Sequence, residues 1–87
     1  GFAKTTDHNF ELLRNLSLFN IPGCPVLLGI SRKSFIYKTL GTTAANALNG
    51  TTALNMMGLM NGASILRVHD VKEAVETIKL FSACKLS

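Results

Sequence analysis

The chain of 87 residues has no tryptophan, one tyrosine, two prolines and two cysteines. Cys24 and Cys84 are isolated, with neither metal-ligand spacing nor a disulfide framework, so free thiols in a reducing cytoplasm are the expectation. No run approaches the ~18 apolar residues of a membrane span, and nothing reads as a signal peptide. Nine Lys and Arg against five Asp and Glu give a net charge of +4, yet no basic block occurs, and five Phe and one Tyr are scattered. Nucleic-acid readers gather such charge on one face, often with aromatics nearby, so nucleic acid is not expected as a partner. No metal-ligand cluster, nucleophile–base pair or Walker-type loop is visible. An anionic small molecule needs only two or three cations and stays open.

At 47% hydrophobic and 16% charged, the composition is that of one soluble globular unit. A lone domain of this length buries only roughly 60% of its unfolded surface. The chain starts at Gly1 without an initiator Met, as a processed or truncated end would.

Asp7 is placed to cap a helix from His8, whose stripe is Phe10, Leu13 and Leu16, broadened by Leu12 and Phe19. "IPGCP" ends it. "VLLGI" reads as a strand covered on both faces, as in parallel sheets, although periodicity alone allows a buried helix. A short helical turn through Phe35 to Leu40 should end at Gly41. Residues 43–61 read as one largely buried helix, with Gly50 and Gly58 explained by close packing and Met56, Met57 and Met60 as core filling. "SILRVH" is the second strand. "DVKEAVETIKLF" is the last helix, with Asp70 and Glu73 at capping-box spacing and an apolar stripe of Val71, Ala74, Val75, Ile78 and Phe81. Strands alternating with helices predict a parallel sheet with right-handed crossovers, and two strands are too few for a self-sufficient one. The chain is therefore expected to be a piece of something larger.

Strand alternation puts Ile65, Arg67 and His69 on one face, with Arg67 and His69 about 7 Å apart. Ligands of α/β sheets bind at that end of the strands, and Arg and His suit phosphate oxygens. The alternative is that Arg67 pairs with a buried carboxylate and His69 is merely hydrogen-bonded, since an unpaired buried Arg is expensive. "SRKS", residues 31–34, also follows a strand and should open on the same edge. Two cations at a helix start oppose the dipole, so the stretch is either a solvated turn or an anion site using Ser31, Ser34 and backbone N–H groups. "GFAKT" with Phe2 and Lys4 reads alone as a frayed terminus, and His8 as a surface residue.

In order along the chain, "GFAKT", "GISRKSFI", "LNGTTA" and "GASILRVHDV" closely resemble the dihydropteroate synthases of the pterin-binding enzyme family. The resemblance implies an α/β fold: a C-terminal fragment of a (β/α)8 TIM barrel, from the end of strand six through strands seven and eight with their helices. It implies a transferase of folate biosynthesis that joins 6-hydroxymethyl-7,8-dihydropterin pyrophosphate to p-aminobenzoate, giving 7,8-dihydropteroate and pyrophosphate. Lys33 would bond the pterin carbonyl and line the p-aminobenzoate site, Ser34 would hold the benzoate carboxylate, and Phe2 would pack on its ring. Arg67 and His69 would bind the departing pyrophosphate, with Mg2+ assisting through ligands outside this chain. The family's strand-six motif, Asp-Pro-Gly-x-Gly-Phe, is entered here at Gly1 and Phe2, so its pterin-binding Asp lies upstream and the 87 residues alone are expected to be inactive. The competing expectations are a non-catalytic pterin- or phosphate-binding half-barrel and a self-associating structural fragment. A homodimer stays open.

Overall fold

The computed structural model describes residues 6–19 and 21–86. Helix α1 (Thr6–Arg14) runs into a 3-10 turn (Leu16–Phe19), then β1 (Leu27–Leu28), α2 (Ser34–Leu40) and a second 3-10 turn (Ala44–Asn46). Helix α3 (Leu48–Met60), β2 (Ile65–Leu66) and α4 (Val71–Leu86) complete the order. The strands pair in parallel, Leu27 beside Ile65 and Leu28 beside Leu66. The predicted alternation of helix and parallel strand is present, with strands of two residues each.

The core is where the sheet meets α1, α2 and α3. Leu13, Leu16, Leu28, Ile30, Phe35, Ile36 and Ala63 form one buried cluster. Phe10 meets Phe35 edge-to-face at 5.2 Å between ring centres, a favoured aromatic geometry. The helices cover only one face of β1. Leu28 and Ile30 are 1% and 0% exposed, whereas Leu27 is 57% exposed. The expectation of a strand covered on both faces is thus met on the Leu28 side only, and Leu27 is left more than half exposed beside a cleft.

Four local expectations also change. Asp7 lies inside the first turn of α1 rather than before it, still an acid at the positive end of the dipole. The expected stripe of α1 stops at Leu16, and Phe19, in the 3-10 turn, is exposed. The single helix over 43–61 is broken into a 3-10 turn and α3, because the Ala44 and Ala45 carbonyls turn to the Arg32 guanidinium. Met57 and Met60 are exposed, since α3 buries Thr51, Asn55, Gly58 and Leu59 instead.

Helix α4 keeps the helical period, with its inward face narrower than expected and shifted. Ala74 of the expected stripe is buried and Phe81 half-buried, Thr77 is buried beside Ala74 on the side that meets α3, and Val71, Val75 and Ile78 are exposed. Small residues allow close helix approach. Thr77 is accommodated because its hydroxyl donates to the Glu73 carbonyl at 2.7 Å.

The C-terminus of α2 follows its prediction. Gly41 takes the left-handed conformation (φ 69°), its N–H bonds to Lys38 O, and the Thr42 N–H reaches Tyr37 O. This is the Schellman arrangement that glycine favours.

Candidate functional site

At the C-terminal ends of the two strands the chain folds into adjoining clefts. The first, about 310 Å³, is lined by Gly29, Ser31, Lys33, Arg67, Val68 and His69. The second, about 390 Å³, shares Gly29, Lys33 and Arg67 and adds an apolar wall that includes Leu12, Phe19, Val26 and Leu27. One continuous opening therefore runs from a cationic and imidazole end to an apolar end.

The register explains why these side chains converge. Leu28 pairs with Leu66, so Gly29 and Arg67 follow side by side, and the Arg67 N–H donates to Leu28 O at 2.9 Å. Arg67 lies across Gly29, where a Cβ would sit 3.4 Å from its Nε. A glycine inside a strand pattern marks such a close approach, and this is the signal that would have identified Gly29 as the floor of the cleft. His69 follows two residues on, its N–H bonded to Ser31 Oγ at 3.2 Å.

"SRKS" divides between a turn and the start of a helix. Ser31 and Arg32 form a turn, Lys33 occupies the position before α2 without a side-chain cap, and Ser34 is the first helical residue. The two cations are not in the first turn, so the conflict with the helix dipole disappears. Lys33 turns into both clefts, whereas Arg32 points away to Asp70. Its Nε and Nη2 bond the two Asp70 oxygens at 2.9 and 3.0 Å, and Nη1 reaches the carbonyls of Ala44 and Ala45. Both oxygens of Asp70 thus accept from Arg32.

The hydrogen bond from Arg32 holds the Asp70 carboxyl below the usual carboxylate range; desolvation opposes it, and the Arg32 charge adds to the lowering. The same pair raises Arg32. Asp70 is the acid that sequence reasoning could have assigned to Arg67. Arg67 is instead exposed, and no carboxylate pairs with it among the described residues. Its exposure removes the need for a buried counter-charge, and leaves its guanidinium available to a ligand.

Of the expected site residues, Lys33, Arg67 and His69 are brought together. Ser34 is exposed at the start of α2 and lines neither cleft, and Phe2 and Lys4 lie outside the described residues. No group of three or more His, Cys, Asp or Glu is placed to hold a metal among the described residues. Magnesium prefers carboxylate, phosphate and water oxygens. The cleft offers a lysine, an arginine and an imidazole, with the nearby Asp70 carboxylate already taken, so this donor set fits an anion and not Mg2+.

Parallel strands whose C-terminal ends carry a cationic cleft define a ligand-binding α/β site. Residues 1–69 match the family of pterin binding enzymes, and the chain belongs to that family. It is 45% identical over 83 residues to the bifunctional dihydropteroate synthase/dihydropteroate reductase of Helicobacter pylori, covering 95% of this chain and 22% of that protein. It is 42% identical to the dihydropteroate synthase of Escherichia coli, covering 95% of this chain and 29% of that one. The crystal structure of the Yersinia pestis dihydropteroate synthase superposes with a TM-score of 0.93 at 38% identity, over 100% of this chain and 41% of that chain. The chain therefore spans less than a third of the length of these curated relatives.

Proposed function

We propose that these 87 residues are the C-terminal part of a dihydropteroate synthase (β/α)8 barrel, with β1 and β2 as its strands seven and eight. The intact protein condenses 6-hydroxymethyl-7,8-dihydropterin pyrophosphate with p-aminobenzoate. One observation carries this reading. Lys33 and the Arg67–His69 pair converge on one cleft from the C-terminal ends of two neighbouring parallel strands.

In the reaction the C–O bond to pyrophosphate breaks and its electron pair leaves with the phosphate. The arylamine nitrogen forms the new C–N bond and gives up a proton. Arg67 and His69 face the leaving group and stabilise the charge that develops on it; such electrostatic terms are often the largest in catalysis. Lys33, shared by both clefts, hydrogen-bonds the pterin carbonyl and borders the p-aminobenzoate site. The resemblance implies that Ser34, exposed at the start of α2, would take the benzoate carboxylate. Mg2+ would be held by phosphate oxygens and by residues outside this chain.

The cytoplasm as the compartment is supported by two exposed free cysteines, Cys24 and Cys84, and among the described residues no helix is long and apolar enough to cross a membrane. The test is formation of dihydropteroate from the two substrates, with the 87-residue chain and the intact protein side by side. Product from the intact protein and none from the 87 residues is the expected result. An intact, folded protein that binds pterin without turnover would make the non-catalytic binding module the better reading.

A further inference from the structure

Beyond the last rung of the β1–β2 ladder, the loops that carry Lys33 and His69 have left the sheet. Among the described residues two ties join them across 38 positions of sequence: His69 N–H to Ser31 Oγ, and the fork of Arg32 on Asp70. Arg32 immediately precedes Lys33, and Asp70 immediately follows His69.

Arg32 is held to an unusual degree for a residue that faces no ligand. Its φ is 54°, the only positive φ outside glycine among the described residues. A non-glycine residue persists there only where its surroundings over-determine it, and such positions cluster at functional sites. The surroundings are explicit. The Arg32 N–H donates to Thr51 Oγ1 at 3.0 Å, and Thr51 is buried in α3. Its Nη1 bonds two carbonyls of the 44–46 turn, at 2.7 and 2.9 Å. Nε and Nη2 then meet both oxygens of Asp70 in a planar fork, a geometry lysine cannot reproduce.

We infer that Arg32 and Asp70 are positioning residues, a clamp that fixes the separation of Lys33 from His69 and so sets the anion-binding geometry of the cleft. This rests on the cleft being the substrate site proposed above. The pair is half-buried, at 25% and 23% exposed. What distinguishes the clamp is that its effect should pass through the cleft residues.

The test is a double-mutant cycle in the intact protein, read by calorimetric titration with inorganic pyrophosphate. Asp70→Asn is expected to weaken pyrophosphate about tenfold in the wild-type background and by less than about twofold beside His69→Ala, the non-additivity of coupled residues. Arg32→Lys, which keeps the charge and loses the fork, should repeat the result, and it replaces Asp70→Asn should that variant fail to fold. Equal losses in both backgrounds, or unchanged affinity in both variants, overturn the clamp. Turnover is scored separately. A wild type that shows the expected cycle but makes no dihydropteroate sinks the enzyme reading and leaves the clamp. Normal turnover with an additive cycle does the reverse, and a wild type that binds no pyrophosphate overturns both.

Discussion

Gly58 of α3 lies so close to Leu28 of β1 that a Cβ built on the glycine would overlap Leu28 Cδ2. Leu28 is 1% exposed and belongs to the buried core cluster. Alanine normally favours a helix interior over glycine by about 1 kcal/mol, but overpacking a tight core costs about 1–3 kcal/mol. Gly58→Ala is therefore expected to lower the urea midpoint of the intact protein. A raised midpoint would show that the two elements can separate.

Gly58 also marks how far the sequence could be read. Two glycines in an otherwise good helix implied close packing, and Gly50, whose Cβ would fall 2.7 Å from Ile36 Cγ2, is the second case. Gly41 was legible as a stop because its chemistry is local. The inward face of α4 was legible only in part. Ala74 was read as inward and is buried, but Val71, Val75 and Ile78 share its period and are exposed, while Thr77 takes the buried place beside it, a choice that depends on the partner helix α3 rather than on the α4 sequence. Arg32 is the clearest miss. A left-handed arginine is stabilised by Thr51, Ala44, Ala45 and Asp70, all distant in sequence, and nothing within "SRKS" signals it. The meeting of Lys33 with Arg67 and His69 was legible because "SRKS" and "RVHD" each follow a strand of a parallel pair and so open on the same edge.

Lys33 and Arg67 line both clefts, so removing either should be felt in the reaction rather than in the fold. Lys33→Ala and Arg67→Ala in the intact protein are each expected to lower kcat/KM by at least ~100-fold, about 2.7 kcal/mol of transition-state stabilisation. Lys72→Ala, on the exposed side of α4, should leave it nearly unchanged. Near-wild-type rates for the first two would remove them from the site.

The Arg32–Asp70 pair fixes the sign of one pH dependence. Asp70 is held below its ordinary value of about 3.9. Its contribution to stability is thus complete above that value and is lost as pH falls through the lower folded value. Arg32 is raised, so its contribution fades only above the ordinary arginine range, beyond any pH at which the protein would be handled. Thermal midpoints of wild type and Asp70→Asn should differ at neutral pH and converge in acid. A gap that stays constant down to the acid transition would mean that the aspartate charge is not what the pair uses.

Both strands are sheet edges among the described residues, and the face bearing Leu27 and Ile65 is open. Val71, Val75, Ile78 and Met60 add exposed apolar area on α4 and at the end of α3. Unpaired edges recruit other strands, and proteins suppress this with charge, above all lysine. The 87-residue chain by itself is expected to sediment as a dimer or larger at micromolar concentrations. Ile65→Lys, which places a charge on the open face beside the β2 edge, should shift it toward monomer. Equal sedimentation of the two would place the association on the α3–α4 side, where Ile78→Lys tests it directly. A wild-type chain that stays monomeric throughout would show that the open edges are inert.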